Sequence, residues 1–489
     1  MIKNPAWRRR IGRAVVIVLL LAVVLGVFAW YKFFRVVDQP PFATDEMRFK
    51  YMSLGAESER GIPYYVWLVL PRIFPDKMPG PGGYASFGFA WEPGQEMPAG
   101  FAKKTVGFPR VTNNCALCHT ATYRTDPDGE RHFVTAGPSQ NANLQAYIRF
   151  LSDAANDPRF NADTILAEID LVISNKYGHG GLSWFDKQLY RYLIIPLTRK
   201  RLVEQQAQFA WMNRPHDITP DWGVGRDDPM NLTKYFMITP LKVDGSTGQA
   251  DFPSIWNLDI RDNQSMNWAG ETPSQRSVII DSALGLGAPA DSASQERFAW
   301  IEKFLRKLPP PKYPTTPDPA LATKGKPLWT QHCAACHEIG GKQVGTVIDI
   351  AEIKTDDNRL KTWTQEAADA ANAAVKSLGI DRKNMVKTNG YAAEPLDGLW
   401  LRAPYLHNGS IENLDDLLKP AAQRTRVFYR GYDVYDAVKA GFISHGPEAE
   451  RVGFRFDTAE RGNGNMGHEY GTQLSDDDRK ALLEYLKTL

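Results

Sequence analysis

The chain has 489 residues, 43% of them hydrophobic and 23% charged, with a net charge of +2. This length exceeds one compact core and points to two or three domains. The near-neutral balance excludes an electrostatic case for nucleic acid as a partner. Plentiful Gly and Pro predict long irregular connections between helices.

The first element is a membrane anchor. Lys3, Arg8, Arg9, Arg10 and Arg13 precede an uncharged run from Ala14 to Tyr31. At about 1.5 Å per residue this run reaches roughly 27 Å, close to the hydrocarbon thickness of a bilayer. Trp30, Tyr31, Phe33 and Phe34 sit where an interfacial aromatic belt belongs, and the basic flank predicts a cytoplasmic N-terminus. Residues 1–35 are therefore expected to hold the remaining chain outside a bacterial inner membrane, in the periplasm. The alternative is a cleaved export signal, which would be shorter and would end at small residues; Val27 to Trp30 offers no such site.

Residues 36–103 combine Pro, Gly and aromatic residues too densely for disorder and predict an ordered, irregular wrap. A first domain follows over 104–308. Helical spacing of apolar residues marks Gln140–Leu151, Thr164–Ile173 and Glu296–Leu308. The basic run Thr198 to Arg201 reads as a solvated helix face. The proline-dense stretch 309–319 is expected to be an extended, semi-rigid linker. A second domain spans 320–489, opening with a helix from Ala320 to Trp329. Its last helix should be capped by Ser475, with Asp478 three residues on.

All four cysteines lie in two copies of C-x-x-C-H: Cys115, Cys118 and His119, then Cys333, Cys336 and His337. This is the attachment pattern of c-type haem. Two thiols bond the porphyrin vinyl groups, and the adjacent histidine supplies the proximal nitrogen to iron. A disulfide framework would not need a histidine after each pair. A zinc site would not separate its pairs by some 200 residues, and a thioredoxin-like motif would be single. Two covalently bound haems c are therefore expected. No compact run of Asp, Glu and Asn supports a calcium ion.

The segments 391–418 (YAAEPLDGLWLRAPYLHNGSIENLDDLL), 462–489 and 222–234 (WGVGRDDPMNLTK) resemble the diheme cytochrome c peroxidase superfamily, most nearly the branch that includes the bacterial rubber oxygenases. The resemblance implies a mainly α fold of two cytochrome c-like haem domains with long irregular loops. It also implies that the first haem activates peroxide or dioxygen and the second transfers electrons. Met266 to Gly270 resembles the family's W-D-G motif, which makes Trp268 the candidate inter-haem electron relay; Asn267 and Ala269 depart from that motif. The peroxidases carry a distal glutamate about twenty residues later, whereas this chain offers only Asp281 and Asp291 there. That departure weighs against a peroxidatic proton transfer and favours oxygen chemistry.

His468 matches the position from which the rubber-oxygenase branch supplies a distal ligand to its second haem. His407 is the runner-up, either as ligand or as a hydrogen-bonding neighbour of the haem edge. Met385 and Met466 are sulfur alternatives. For the first haem an open sixth position is expected, with His132, His179 and His216 as candidates to close it. His332 and His445 are expected at the surface or in loops.

Two classes of function follow. One is an oxidoreductase acting on peroxide, dioxygen or an organic substrate. The other is an electron carrier, or a cytochrome subunit of a membrane assembly. Either would exchange electrons with a redox partner: a cytochrome, a cupredoxin or a quinol-oxidising complex.

Overall fold

The computed structural model describes residues 5–177, 182–238 and 241–489. Helix makes up 46% of the structure and strand 11%, so the described residues form a mainly α fold.

The first helix runs from Pro5 to Phe33, and its apolar part, Arg9 to Phe33, is exposed along its length. Uncharged from Ala14 to Tyr31, it is long and apolar enough to cross a membrane, as an anchor or as an export signal. Immediately after it, Val36 and Val37 pair with Val106 and Thr105 in a four-stranded antiparallel sheet. The other strands are Phe101–Val106, Phe108–Asn113 and Ile62–Pro63.

The 36–103 segment is more regular than its composition implies. It contains the helices Asp45–Tyr51 and Tyr64–Ile73. The second is apolar on most sides, because Val66, Trp67, Val69 and Leu70 are all buried in an aromatic cluster with Tyr84, Phe87, Phe101, Tyr147 and Phe150. Periodicity is uninformative for a helix buried all round, and Pro71 near its C-terminus disguises it further.

The helices read from the sequence are present with shifted ends. Leu144–Asn156 starts four residues later than its apolar spacing indicates, because the Asn143 side chain caps it by accepting from the Ala146 N–H. Ala162–Tyr177 contains the stretch predicted over 164–173, and Ser292–Lys307 covers the one predicted over 296–308 except Leu308, which is its C-cap. In the last helix, Asp476–Leu486, the Ser475 hydroxyl accepts from the Asp478 N–H as the capping pattern requires.

Residues 309–319 are extended, yet they are packed down: the Pro311 carbonyl accepts from Trp400 Nε1 at 3.0 Å and the Tyr313 hydroxyl donates to the Ala437 carbonyl at 2.8 Å. The largest hydrophobic cluster joins residues from both sides of this stretch, including Trp256, Ile280 and Phe298 with Trp400, Leu401 and Leu482. Asp397 binds Arg261 (2.8 Å) and Arg402 (2.9 Å), and Asp433 binds Arg124 (2.7 Å). The two motif-bearing halves thus share one core.

The Pro319–His332 helix packs across Asp476–Leu486. Gly325 makes this possible: a Cβ there would lie 2.0 Å from the Ala481 carbonyl oxygen. Trp329 and Tyr485 close the crossing with ring centroids 5.6 Å apart. The crossing holds the start of the second C-x-x-C-H directly at a helix end, where Cys333 N–H donates to the Trp329 carbonyl.

Candidate haem centres

The two motifs are built alike. Cys115 to Leu117 form a short 3-10 turn whose cap, Asn114, accepts from the Ala116 N–H and donates to the Lys50 and Met52 carbonyls. This ties the first motif to the Asp45–Tyr51 helix. His119 Nδ1 lies 2.9 Å from the Pro253 carbonyl. In the second motif His337 Nδ1 lies 2.7 Å from the Glu394 carbonyl. A carbonyl only accepts, so each Nδ1 carries the proton and each Nε2 keeps a free lone pair for a metal. Burial pushes the His119 imidazolium down to about 4, against the opposing effect of the Pro253 carbonyl, and burial lowers His337 likewise. Both rings are neutral near pH 7, as ligation needs.

Burial pushes the Cys115 thiol up to about 11 and the Cys333 thiol up to about 12. Thiols so reluctant to ionise lack the thiolate character of a redox C-x-x-C pair, and none of the four is in a disulfide.

His468 stands opposite His337, with ring centroids 6.3 Å apart. A metal midway would be about 3 Å from each ring centre, which is a metal–nitrogen bond of about 2 Å plus roughly 1 Å to the centre of the ring. His468 sits in the left-handed region at φ +48°, held by its N–H to the Ile353 carbonyl (2.8 Å) and by Arg424 at its own carbonyl. Its Nδ1 is buried without a hydrogen-bond partner, and burial, with His337 adding to it, pushes its pKa down to about 3. The pair fits a haem iron between its rings. Among the described residues no ring faces His119 in this way.

His407 is committed elsewhere. It stacks on Tyr391 (3.9 Å between centroids) and its Nε2 is 2.9 Å from the Tyr391 hydroxyl. Burial lowers it well below the usual histidine range, with Arg359 and Arg226 adding to the effect. Met385 is buried in a cluster with Met230 and Trp363, and Met466 is exposed. His132 is exposed and stacks on Tyr123, His216 lies 3.9 Å from Glu460, and His445 pairs with Glu412 at 2.8 Å. His332 is half-buried. His179 lies outside the described residues. Asp281 is bound to Arg382 at 2.8 Å, while Asp291 caps a helix through the Ser294 N–H. Among the described residues no cluster of three or more Asp, Glu, His or Cys is arranged to hold a metal ion.

Trp268 joins the two motifs. Its Nε1 donates to the Asp251 carbonyl at 2.8 Å, and Asp251 is two residues from Pro253, the partner of His119. Its own carbonyl accepts from Ala392 N–H at 2.8 Å, and Ala392 is two residues from Glu394, the partner of His337. Four hydrogen bonds and two short backbone segments therefore connect the proximal histidines through this residue. The Trp268 turn is clamped beneath by the buried Glu271–Arg359 ion pair, 2.7 Å.

Asp227 was not singled out by the sequence reading. It lies on a two-residue strand, Arg226–Asp227, paired with Ala250–Asp251. Burial pushes its carboxyl up to about 7, the neighbouring Asp228 adding to the effect and Arg359 opposing it. Its charge in turn helps raise the Cys118 thiol, after burial. The signal was two adjacent acids following Arg226 in a glycine-rich turn.

Two comparisons bear on identity. Residues 390–429 match the family model described as RoxA-like, cytochrome c-like, and residues 322–397 match that of cytochrome c. "Uncharacterized protein y4iJ" of Sinorhizobium fredii (strain NBRC 101917 / NGR234) is 35% identical over 159 residues, covering 30% of this chain and 25% of that protein. "Uncharacterized protein y4iM" of the same organism is 29% identical over 283 residues, 49% of this chain and 64% of that protein. The match covers less than two thirds of the length of either relative. A cytochrome c domain implies covalently bound haem c, and the two matches give residues 322–429 the character of a RoxA-like, cytochrome c-like domain, which supports the RoxA-like cytochrome branch.

Proposed function

We propose that the protein is an exported, membrane-anchored oxidoreductase with two haems c. The first haem would be held by Cys115, Cys118 and His119 and left open to dioxygen or peroxide. The second, held by Cys333, Cys336 and His337 with His468 as its sixth ligand, would store and pass electrons. When bound, the irons supply the redox chemistry. The chain orients its histidines through backbone carbonyls and excludes water around His468 and His337. It also provides a route between the centres.

The observation that carries this reading is the hydrogen-bonded route through Trp268. A protein that only needs to shuttle electrons at one surface has no use for a direct connection between two buried centres. Opposite His337 a histidine stands at ligating distance, and His119 has no such counterpart among the described residues. That asymmetry supports one closed centre and one reactive centre. Asp227, a carboxylic acid close to neutrality within electrostatic reach of Cys118, is the group best placed to move a proton there. Asp281 is already held by Arg382.

The electron-carrier reading draws support from the lack of a glutamate about twenty residues after Trp268. Carbon monoxide binding separates the two. The oxidoreductase reading expects one haem to be high-spin and to bind carbon monoxide when reduced. Two low-spin haems that bind nothing in any redox state would leave only electron transfer.

A further inference from the structure

Beyond the first helix, the protein carries a second surface suited to a membrane. Helices Trp184–Leu189 and Ile195–Gln208 join through a π-helical turn into one rod. Its inner face, Tyr190, Ile194, Ile195 and Leu202, is buried in the aromatic core. Its outer face is apolar too: Trp184 is 75% exposed and Tyr192 74%, with Phe185, Leu193 and Leu197 beside them. Water is a poor environment for such a stripe. The rod also carries five basic residues against two acidic ones, the composition of a helix that lies in the headgroup layer of an anionic bilayer.

The depth of the first turn of this rod is set by its contacts to the first helix. Lys32, the first charge after the apolar run, marks the outer edge of the hydrocarbon, and its Nζ pairs with Asp186 at 2.5 Å. Phe28 lies one turn deeper, about 6 Å down the axis, and meets Phe185 edge to face at 4.8 Å. The joint below is stiff. Phe34 and Arg35 N–H both donate to the Trp30 carbonyl, Gly107 N–H donates to the Arg35 carbonyl, and Val36 and Val37 enter the sheet at once. A Cβ on Gly107 would lie 2.4 Å from the Lys32 carbonyl. The body therefore cannot swing away from the bilayer on a flexible tether. Beside the rod a groove of about 620 Å³ is lined by Phe160, Ile195 and Val203 together with Arg199, Lys200 and Glu204, room for an acyl chain beside two cations and one acid.

We propose that the 184–208 rod is a membrane-docking element that lies in the outer interface of the bilayer, with Trp184, Phe185, Tyr192 and Leu197 among the lipids and the basic residues at anionic headgroups. The inference rests on the first helix being a retained anchor. It gives the Arg199 to Arg201 run a lipid partner in place of plain solvent.

The test uses the full-length haem-loaded protein in vesicles of phosphatidylcholine with phosphatidylglycerol. Because all four native cysteines are committed to haem, a nitroxide can be placed at one introduced cysteine at a time: Tyr192→Cys, Leu197→Cys, Leu20→Cys within the anchor, or Val438→Cys on an exposed loop. Collision with oxygen and with a water-soluble nickel complex reads depth. The expected result is nickel accessibility at Tyr192 and Leu197 several-fold below that at Val438, with oxygen accessibility raised. A lipid-buried Leu20 label with Tyr192 and Leu197 as wet as Val438 would overturn the docking element and keep the anchor. A wet Leu20 label would overturn both. Labels shielded from both reagents and broadened by spin–spin contact would place a second copy of the chain on the rod and overturn lipid docking.

Discussion

Trp268 donates its indole N–H to the main-chain carbonyl of Asp251 at 2.8 Å, a contact between residues 17 apart in the chain. It makes the tryptophan part of a bonded path to His119 as well as a packed ring beside Tyr391 and Leu360. Trp268→Phe keeps most of the ring and removes the donor. The expected cost in stability is about 1 kcal/mol, that of one hydrogen bond whose acceptor is left in a part-buried site. Electron exchange between the haems, followed by stopped-flow reduction, should slow while the spectra of both haems stay unchanged. An unchanged rate would remove Trp268 from the route.

His468 and His337, 6.3 Å apart, make the second prediction. On the proposed ligation, a haem held by His337 would lose its sixth ligand in His468→Ala and should become high-spin and open to carbon monoxide, raising the stoichiometry by one per chain. His407→Ala should leave that stoichiometry alone, because His407 is engaged with Tyr391. Its expected effect is a loss of stability of about 1–3 kcal/mol from the lost stacking and hydrogen bond, the Tyr391 hydroxyl keeping its bond to the Asp356 carbonyl.

Much of this arrangement was legible in the sequence, and the remainder was hidden for identifiable reasons. The two C-x-x-C-H motifs, the Ser475 cap and the apolar run after Arg13 are local patterns, so their spacing carries the information directly. The Tyr64–Ile73 helix was hidden because a helix buried on most sides has no polar face to reveal its period. The carbonyl partners Pro253 and Glu394 lie 134 and 57 residues from their histidines, and backbone acceptors leave no trace in residue type. Asp227 needed the structure for the same reason. What raises its pKa is first burial, which residue type does not reveal, then the adjacent Asp228; Arg359, which opposes both, is more than a hundred residues away.

Gly325 offers a direct test of the helix crossing behind the second motif. A methyl group at that position would collide with the main-chain carbonyl of Ala481, which cannot rotate away as a side chain can. Gly325→Ala should therefore destabilise the haem-loaded protein by about 1–3 kcal/mol despite the better helix propensity of alanine. Equilibrium urea unfolding followed at the Soret band measures it. Gly245→Ala, at a site with nothing within 4 Å, is the control.

The Asp227 carboxyl, pushed up to about 7 chiefly by burial, predicts a pH-dependent penalty. Its unfolded value is near 4, so between about pH 4 and 7 the folded state binds the extra proton. Stability is then lost as pH rises through this window, and the loss is complete above about pH 7. Asp227→Asn cannot ionise, so its stability relative to the wild type should improve from pH 4 to pH 7 by about 1–4 kcal/mol and stay level above. If Asp227 also serves the first haem as proton donor, the same variant should lose peroxide or oxygen turnover at every pH while its haem spectra stay normal.

The Glu271–Arg359 pair lies beneath the Trp268 turn with both side chains almost wholly buried and 2.7 Å between them. Its environment is already rich in charge: Arg359 acts on Asp227, His407 and Tyr391. Glu271→Gln leaves a buried guanidinium without its main counter-charge, and the expected cost is about 3–5 kcal/mol. Removing both ends together, as Glu271→Leu with Arg359→Met, should cost less than the single change, because no lone charge is left behind. The double variant has a second expected effect that packing alone would not produce. With the Arg359 charge gone, the carboxyl of Asp227 loses its one attractive neighbour and its titration should move higher still, which infrared difference spectroscopy of the protonated carboxyl band would detect. A band position and midpoint equal to those of the wild type would show that Arg359 does not set the charge state beside Cys118.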